Sequence, residues 1–127
     1  MYSHVMLGAK NIHQSKAFYD ATFATLGYEA GVFDEKGRCF YFTRSGVFAI
    51  TLPIDGDTAS HGNGSTIGFS AQSVACVEAW HKAGVAHGGK ECELPPGVRE
   101  GSVGKMYIAY LRDPAGNKIC ALNWINE

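Results

Sequence analysis

At 127 residues, 46% of them apolar and 18% charged, the chain carries enough hydrophobic side chain for one folded domain, which excludes a disordered tail protein. Its formal net charge is −1, and its eleven Lys and Arg are scattered without a basic stripe, so nothing argues for nucleic acid as a partner. No apolar run approaches the roughly 20 residues that span a bilayer, so no membrane partner is expected.

The opening "MYSHVMLGAK" has no charged n-region, long apolar region or small-residue cleavage site, and is not expected to be a signal peptide. Within it "SHVMLGA" reads as a strand. A helix follows over "NIHQSKAFYDATFATLGY", with Ile12, Ser15, Phe18, Thr22 and Leu26 at helical spacing, Asn11 as N-cap and Gly27 as the stop. Three strands come next, "YEAGVFDE", "RCFYFTRS" and "VFAITLPI", punctuated by Lys36-Gly37 and Ser45-Gly46. Residues 55–64 form a polar linker.

Beyond the linker the order restarts. "STIGFSA" is a strand, and "SVACVEAWHKAG" is a helix capped by Ser73 with Val77 and Trp80 on its apolar face. "GGKECELPPG" reads as a strand interrupted by Pro95-Pro96. "KMYIAYLRDP" and "KICALNW" make a hairpin closed by "DPAG", whose Pro114 and Gly116 suit a type I turn. The hairpin "YLRDPAGNKICALNW" thus restates the earlier "YFTRSGVFAITL". The chain is expected to be an α+β domain over 1–127, built from two βαβββ modules, 1–54 and 65–127.

Strand parity assigns faces. Val5, Leu7, Phe48, Ile50, Leu52, Ile67, Phe69, Ile119 and Ala121 share one parity and are all apolar, as a helix-covered face requires. The opposite parity holds His4, Met6, Ala49, Thr51, Thr66, Gly68, Ser70, Cys120 and Leu122, a mixture suited to the lining of a cleft.

Paired βαβββ modules, "FYDATFATLGY" in the first helix and "YLRDPAGNKICAL" at the end together resemble the vicinal oxygen chelate superfamily of glyoxalases, bleomycin-resistance proteins and extradiol dioxygenases. The resemblance spans essentially the whole chain. It implies two mixed sheets curved around a cavity and, in metal-dependent members, one ligand on the first and last strand of each module. Those positions are His4, Ala49, Thr66 and Cys120 in this chain. One imidazole, one thiol, one alcohol and a methyl group fall short of the three or four donors a divalent metal needs. No cofactor is therefore expected; a metal, if bound at all, would have only His4 and Cys120.

His4 reads either as a hydrogen-bonded strand histidine or as a general base, and Cys120 either as a small buried hydrophobe or as a thiolate. These two are the candidate catalytic residues. Substrate contacts are expected from His4, Thr51, Thr66, Ser70, Arg99, Tyr107 and Cys120, with His4, Thr51, Thr66 and Cys120 lining one concave pocket, assembled either within one chain or across two. "PPGVREGSVGKMY" reads as a solvated loop or as a mobile lid presenting Arg99 to an anionic substrate. Trp124 falls on the cleft parity at a rim or subunit contact. His13, His61, His81 and His87 have no partner at metal spacing. The four cysteines lack a C-x-x-C pair and read as reduced thiols of a cytoplasmic protein.

Three functions fit these residues. The first is metal-independent binding of a small organic molecule. The second is a metal-dependent lyase, isomerase or dioxygenase with a non-standard ligand set, resembling lactoylglutathione lyase. The third is a metal-free His/Cys enzyme. A homodimer is expected, because small modules with free strand edges have much surface to cover.

Overall fold

The structure is a computed structural model that describes residues 1–125; Asn126 and Glu127, the last two residues of the expected second module, lie outside the described residues. The elements run β1 (His4–Gly8), α1 (Ile12–Ala24), β2 (Val32–Phe33), β3 (Cys39–Thr43), β4 (Gly46–Thr51), β5 (Ile67–Ser70), α2 (Val74–Ala86), β6 (Lys90–Glu91), β7 (Gly97–Gly101), β8 (Gly104–Arg112) and β9 (Lys118–Trp124). Two mixed sheets result, ordered β1-β4-β3-β2 and β5-β9-β8-β6, with β7 sharing the outer edge of β8 with β6.

Both helices start as their caps dictate. The Asn11 side chain accepts from the His13 and Gln14 amides, and Ser73 accepts from that of Cys76. The first helix ends earlier than its periodicity suggests. Thr25 caps it, and Gly27 at φ +88° turns the chain while the Tyr28 amide bonds back to the Phe23 carbonyl.

The second module departs from the expected pattern by one strand. Cys92–Pro96 breaks the strand after α2 into β6 and β7, because two consecutive prolines cannot supply the ladder with amide donors. The segment expected to be a loop or lid is instead β7 hydrogen-bonded to β8 from Gly97↔Ile108 to Gly101↔Gly104. Arg99 therefore sits on a strand. Strand β2 shrinks to two residues.

The parity assignment of the covered face holds. Phe48, Ile50, Ile119 and Ala121 lie in the core with Phe18, Tyr19, Phe23, Val77 and Trp80, and Val5, Leu7, Ile67 and Phe69 pack against it. Leu52 is the exception at 53% exposed, because β4 ends at Thr51 and the chain leaves the sheet. The core joins both halves: the Phe69 ring of β5 meets Phe23 at 5.0 Å and Phe48 at 5.4 Å.

The D-P-A-G-N turn between β8 and β9 locks the halves together. Buried Asp113 accepts the Tyr19 hydroxyl of α1 at 2.6 Å, and also the Ala115 and Asn117 amides and the Asn117 side chain. Asn117 Nδ2 donates in addition to the Gly8 carbonyl of β1. A carboxylate with this many donors is a satisfied buried charge rather than a liability.

Candidate functional site

The helices pack on one face of each sheet, and among the described residues no helix lies over the other. Ladder partners share a face, so the register defines what the uncovered faces carry. On the first sheet they are His4, Met6, Val47, Ala49, Phe40 and Phe42. The Phe40 and Phe42 rings stack at 5.7 Å and 11°, the Arg38 guanidinium lies 5.4 Å from Phe40, and Phe42 is 67% exposed. On the second sheet Ser70, Cys120, Tyr110, Ile108, Leu122 and Trp124 share the face with Arg99, Arg112 and Lys118.

The two modules correspond position by position. The Ala9 amide bonds the Thr51 carbonyl at 2.8 Å, and the Ala71 amide bonds the Leu122 carbonyl at 2.8 Å. Counting back along each strand makes His4 equivalent to Thr66 and Ala49 to Cys120. The register then separates them. His4 lies opposite Val47, whereas Ala49 lies opposite Met6 and Cys120 opposite Gly68.

Within one chain, His4, Thr51, Thr66 and Cys120 do not line a common cavity. Thr51 pairs with Gly8, four residues and about 13 Å along the strand from His4. Its hydroxyl donates to the Leu52 carbonyl. Thr66 is exposed just ahead of β5. Tyr107 belongs to the other face: it pairs with Asn123 and Val98, and its hydroxyl donates to Glu78 of α2 at 2.7 Å. His4 and Ser70 instead border a cavity between β1 and β5.

Cys120 is buried, and that burial pushes its thiol up to about 11. Near neutral pH the sulfur is protonated, which suits a packed thiol and opposes a nucleophile. His4 shares a hydrogen bond of 2.7 Å between its Nδ1 and Ser3 Oγ. The four metal-ligand positions thus offer one exposed imidazole, one protonated buried thiol, one alcohol and no donor from Ala49. Among the described residues no three His, Cys, Asp or Glu side chains converge. This donor set does not fit a divalent metal.

What the second sheet gathers is cationic and aromatic. Lys118 pairs with Glu93 and stands 4.9 Å from the Tyr110 ring centre. Arg99 donates to the Pro95 carbonyl at 2.9 Å and that of Val98 at 3.3 Å, and Arg112 to the Gly116 carbonyl at 2.8 Å. Among the described residues neither guanidinium has a carboxylate partner. Sequence reasoning found Arg99 but missed Tyr110, Arg112 and Lys118. Alternation in "YLRDPAGNK" carries that signal, because Tyr110 and Arg112 share parity across a turn from Lys118.

The family model of the Glyoxalase/Bleomycin resistance protein/Dioxygenase superfamily matches residues 2–121. The chain belongs to this superfamily. A glyoxalase/bleomycin resistance protein from Albidiferax ferrireducens T118, known as a crystal structure, is 57% identical, with a TM-score of 0.94 over 97% of this chain and 98% of that one. More distant structures share the fold: a glyoxalase-related enzyme from Fulvimarina pelagi (22% identity, TM-score 0.73, 97% and 87% covered) and lactoylglutathione lyase from Agrobacterium tumefaciens (20%, 0.65, 97% and 92%). No curated protein matches the sequence.

Proposed function

We propose that this superfamily member binds a small organic anion with an apolar or aromatic body on the uncovered face of its second sheet, without a resident metal. The observation that carries the reading is two guanidinium groups about 20 Å apart along β8, Arg99 and Arg112, each held among the described residues only by main-chain carbonyls, on a face that also presents Tyr110 and Trp124. A guanidinium bonded to carbonyls keeps donors for a carboxylate or phosphate, and the rings beside it take a flat body.

Binding rather than thiol chemistry is favoured because Cys120 is held protonated. Metal-assisted chemistry is disfavoured by the donor set. The proposal takes the protein as a homodimer. The chain exposes 7653 Å², against about 6,600 Å² expected of a compact monomer of 13.7 kDa. Phe42, Val32 and Trp124 contribute to the excess. It also places the protein in a reducing, cytoplasmic setting, where its four unpaired cysteines would persist. No helix of the described residues is long and apolar enough to cross a membrane.

The test is calorimetric titration with naphthalene-2-carboxylate and with uncharged 2-methylnaphthalene. The carboxylate is expected to bind at least about 10-fold tighter, an advantage lost in the Arg99→Ala, Arg112→Ala double variant. Equal binding of both compounds, or no effect of the double variant, would refute the reading.

A further inference from the structure

We propose a second ligand site, set where the first strands of the two sheets meet rather than on the arginine-bearing strands β7 and β8, that takes a flat, uncharged ring system. A cavity of about 350 Å³ opens between the first strands of the two sheets. That volume lies within the usual range for small-molecule sites. Its walls are Val5, Phe23, Tyr28, Phe48, Ile67 and Phe69. Phe23, Phe48 and Phe69 meet pairwise at centroid distances of 5.0 to 5.4 Å with planes near perpendicular. Rings fixed edge-to-face in this way offer both faces and edges to another aromatic ring.

Beside these walls the lining includes Met1 and Tyr2 and the small or hydroxylic Ser3, Thr43, Gly68 and Ser70. Among the described residues no Asp, Glu, Lys or Arg side chain lines the cavity. A charged ligand drawn against the apolar walls would lose its hydration without a side-chain counter-ion among them, so the walls favour a neutral ring.

Hydrogen bonding at the mouth is nonetheless available. His4 Nδ1 is engaged with Ser3 Oγ, which leaves Nε2 for a ligand. Among the described residues strand β1 pairs only with β4, and β5 only with β9, so each keeps a free edge. In a parallel ladder alternate residues turn their amide and carbonyl to the same side. The Ala9 and Ala71 amides bond inward, which turns the main-chain groups of His4, Gly68 and Ser70 outward, to the side of the cavity. The occupant is therefore a bicyclic or smaller ring carrying one donor and one acceptor.

The test uses the full chain and neutral quinolin-2-one, with naphthalene-2-carboxylate as the anionic control, followed by calorimetry and amide shift mapping. Quinolin-2-one is expected to saturate with shifts at Val5, Phe48, Ile67 and Phe69. Ile67→Trp, which fills the cavity, should weaken it at least 10-fold, while the Arg99→Ala, Arg112→Ala double variant leaves it unchanged. Should Ile67→Trp fail to fold, Ser3→Trp at the exposed mouth takes its place with the same expectation. No saturable binding would overturn the proposal, as would shifts confined to β8 and β9 or equal binding of the carboxylate at this cavity. Loss of binding as the protein dimerises would also overturn it, by showing that a second copy covers the mouth. The two sites fail separately, because each has its own probe and its own variants.

Discussion

Gly84 sits near the end of α2, and helix propensity alone says that Gly84→Ala should stabilise the protein by about 0.8–1.0 kcal/mol. The packing says the opposite. A methyl group at that position runs into Leu111 Cδ1 and comes within 3.2 Å of Phe18 Cε1 and 3.4 Å of Thr22 Cγ2. Leu111, Phe18 and Thr22 are each 0% exposed, so none can swing into solvent to make room. Relief requires α2 to lift from α1 and β8. Overpacking of this kind costs about 3 kcal/mol at the upper end of its usual range. Subtracting the propensity gain leaves a net loss of about 2 kcal/mol, or roughly 8 °C in melting temperature for a chain of this length. Urea unfolding followed by far-ultraviolet circular dichroism measures it, with Gly101→Ala as control. That position has open space around its missing Cβ, and its change should stay within about 0.5 kcal/mol. A Gly84→Ala protein as stable as the parent, or more so, would refute the packing argument.

Tyr19→Phe removes a buried hydroxyl from Asp113 and is expected to cost about 2 kcal/mol, typical of a hydrogen bond to a charged group; a loss below about 0.5 kcal/mol in the same urea assay would contradict the proposed lock between the halves. Cys120 should alkylate slowly at pH 7 and about tenfold faster per pH unit until its thiol titrates at about 11, because only the thiolate reacts. Peptide mapping after iodoacetamide treatment reads this rate, and a plateau near pH 9 would show an ordinary thiol. Sedimentation at micromolar concentration should give twice the chain mass, and a monomer would remove the homodimer from the proposed function.

The duplicated module, both N-caps and the apolar parity of β1, β4, β5 and β9 were legible because each is a local or period-2 property. Asn11 and Ser73 cap helices with their own side chains, and Val5, Phe48, Ile67 and Ile119 point to one face wherever their strands pair. Family resemblance added which positions to compare, and the equivalence of His4 with Thr66 and of Ala49 with Cys120 agrees with the register.

Other features depended on pairing across the chain. Leu52 has the core parity yet is exposed, since parity says nothing about where a strand stops. Arg99 sits on β7 because β8 offers a free edge, a fact about a partner rather than about "GVREG" itself. Tyr107 and Tyr110 look alike in sequence, but their odd separation sends one to Glu78 and the other to the uncovered face. Within one chain the four residues grouped by parity as one pocket lie apart along the strands, a distance that alternation does not encode. Sequence by itself therefore determined the two helices, the apolar faces of β1, β4, β5 and β9 and the poverty of the metal donor set. Tertiary structure alone decided which side chains meet, because contact is set by register and by where the free edges of β1 and β5 come to lie.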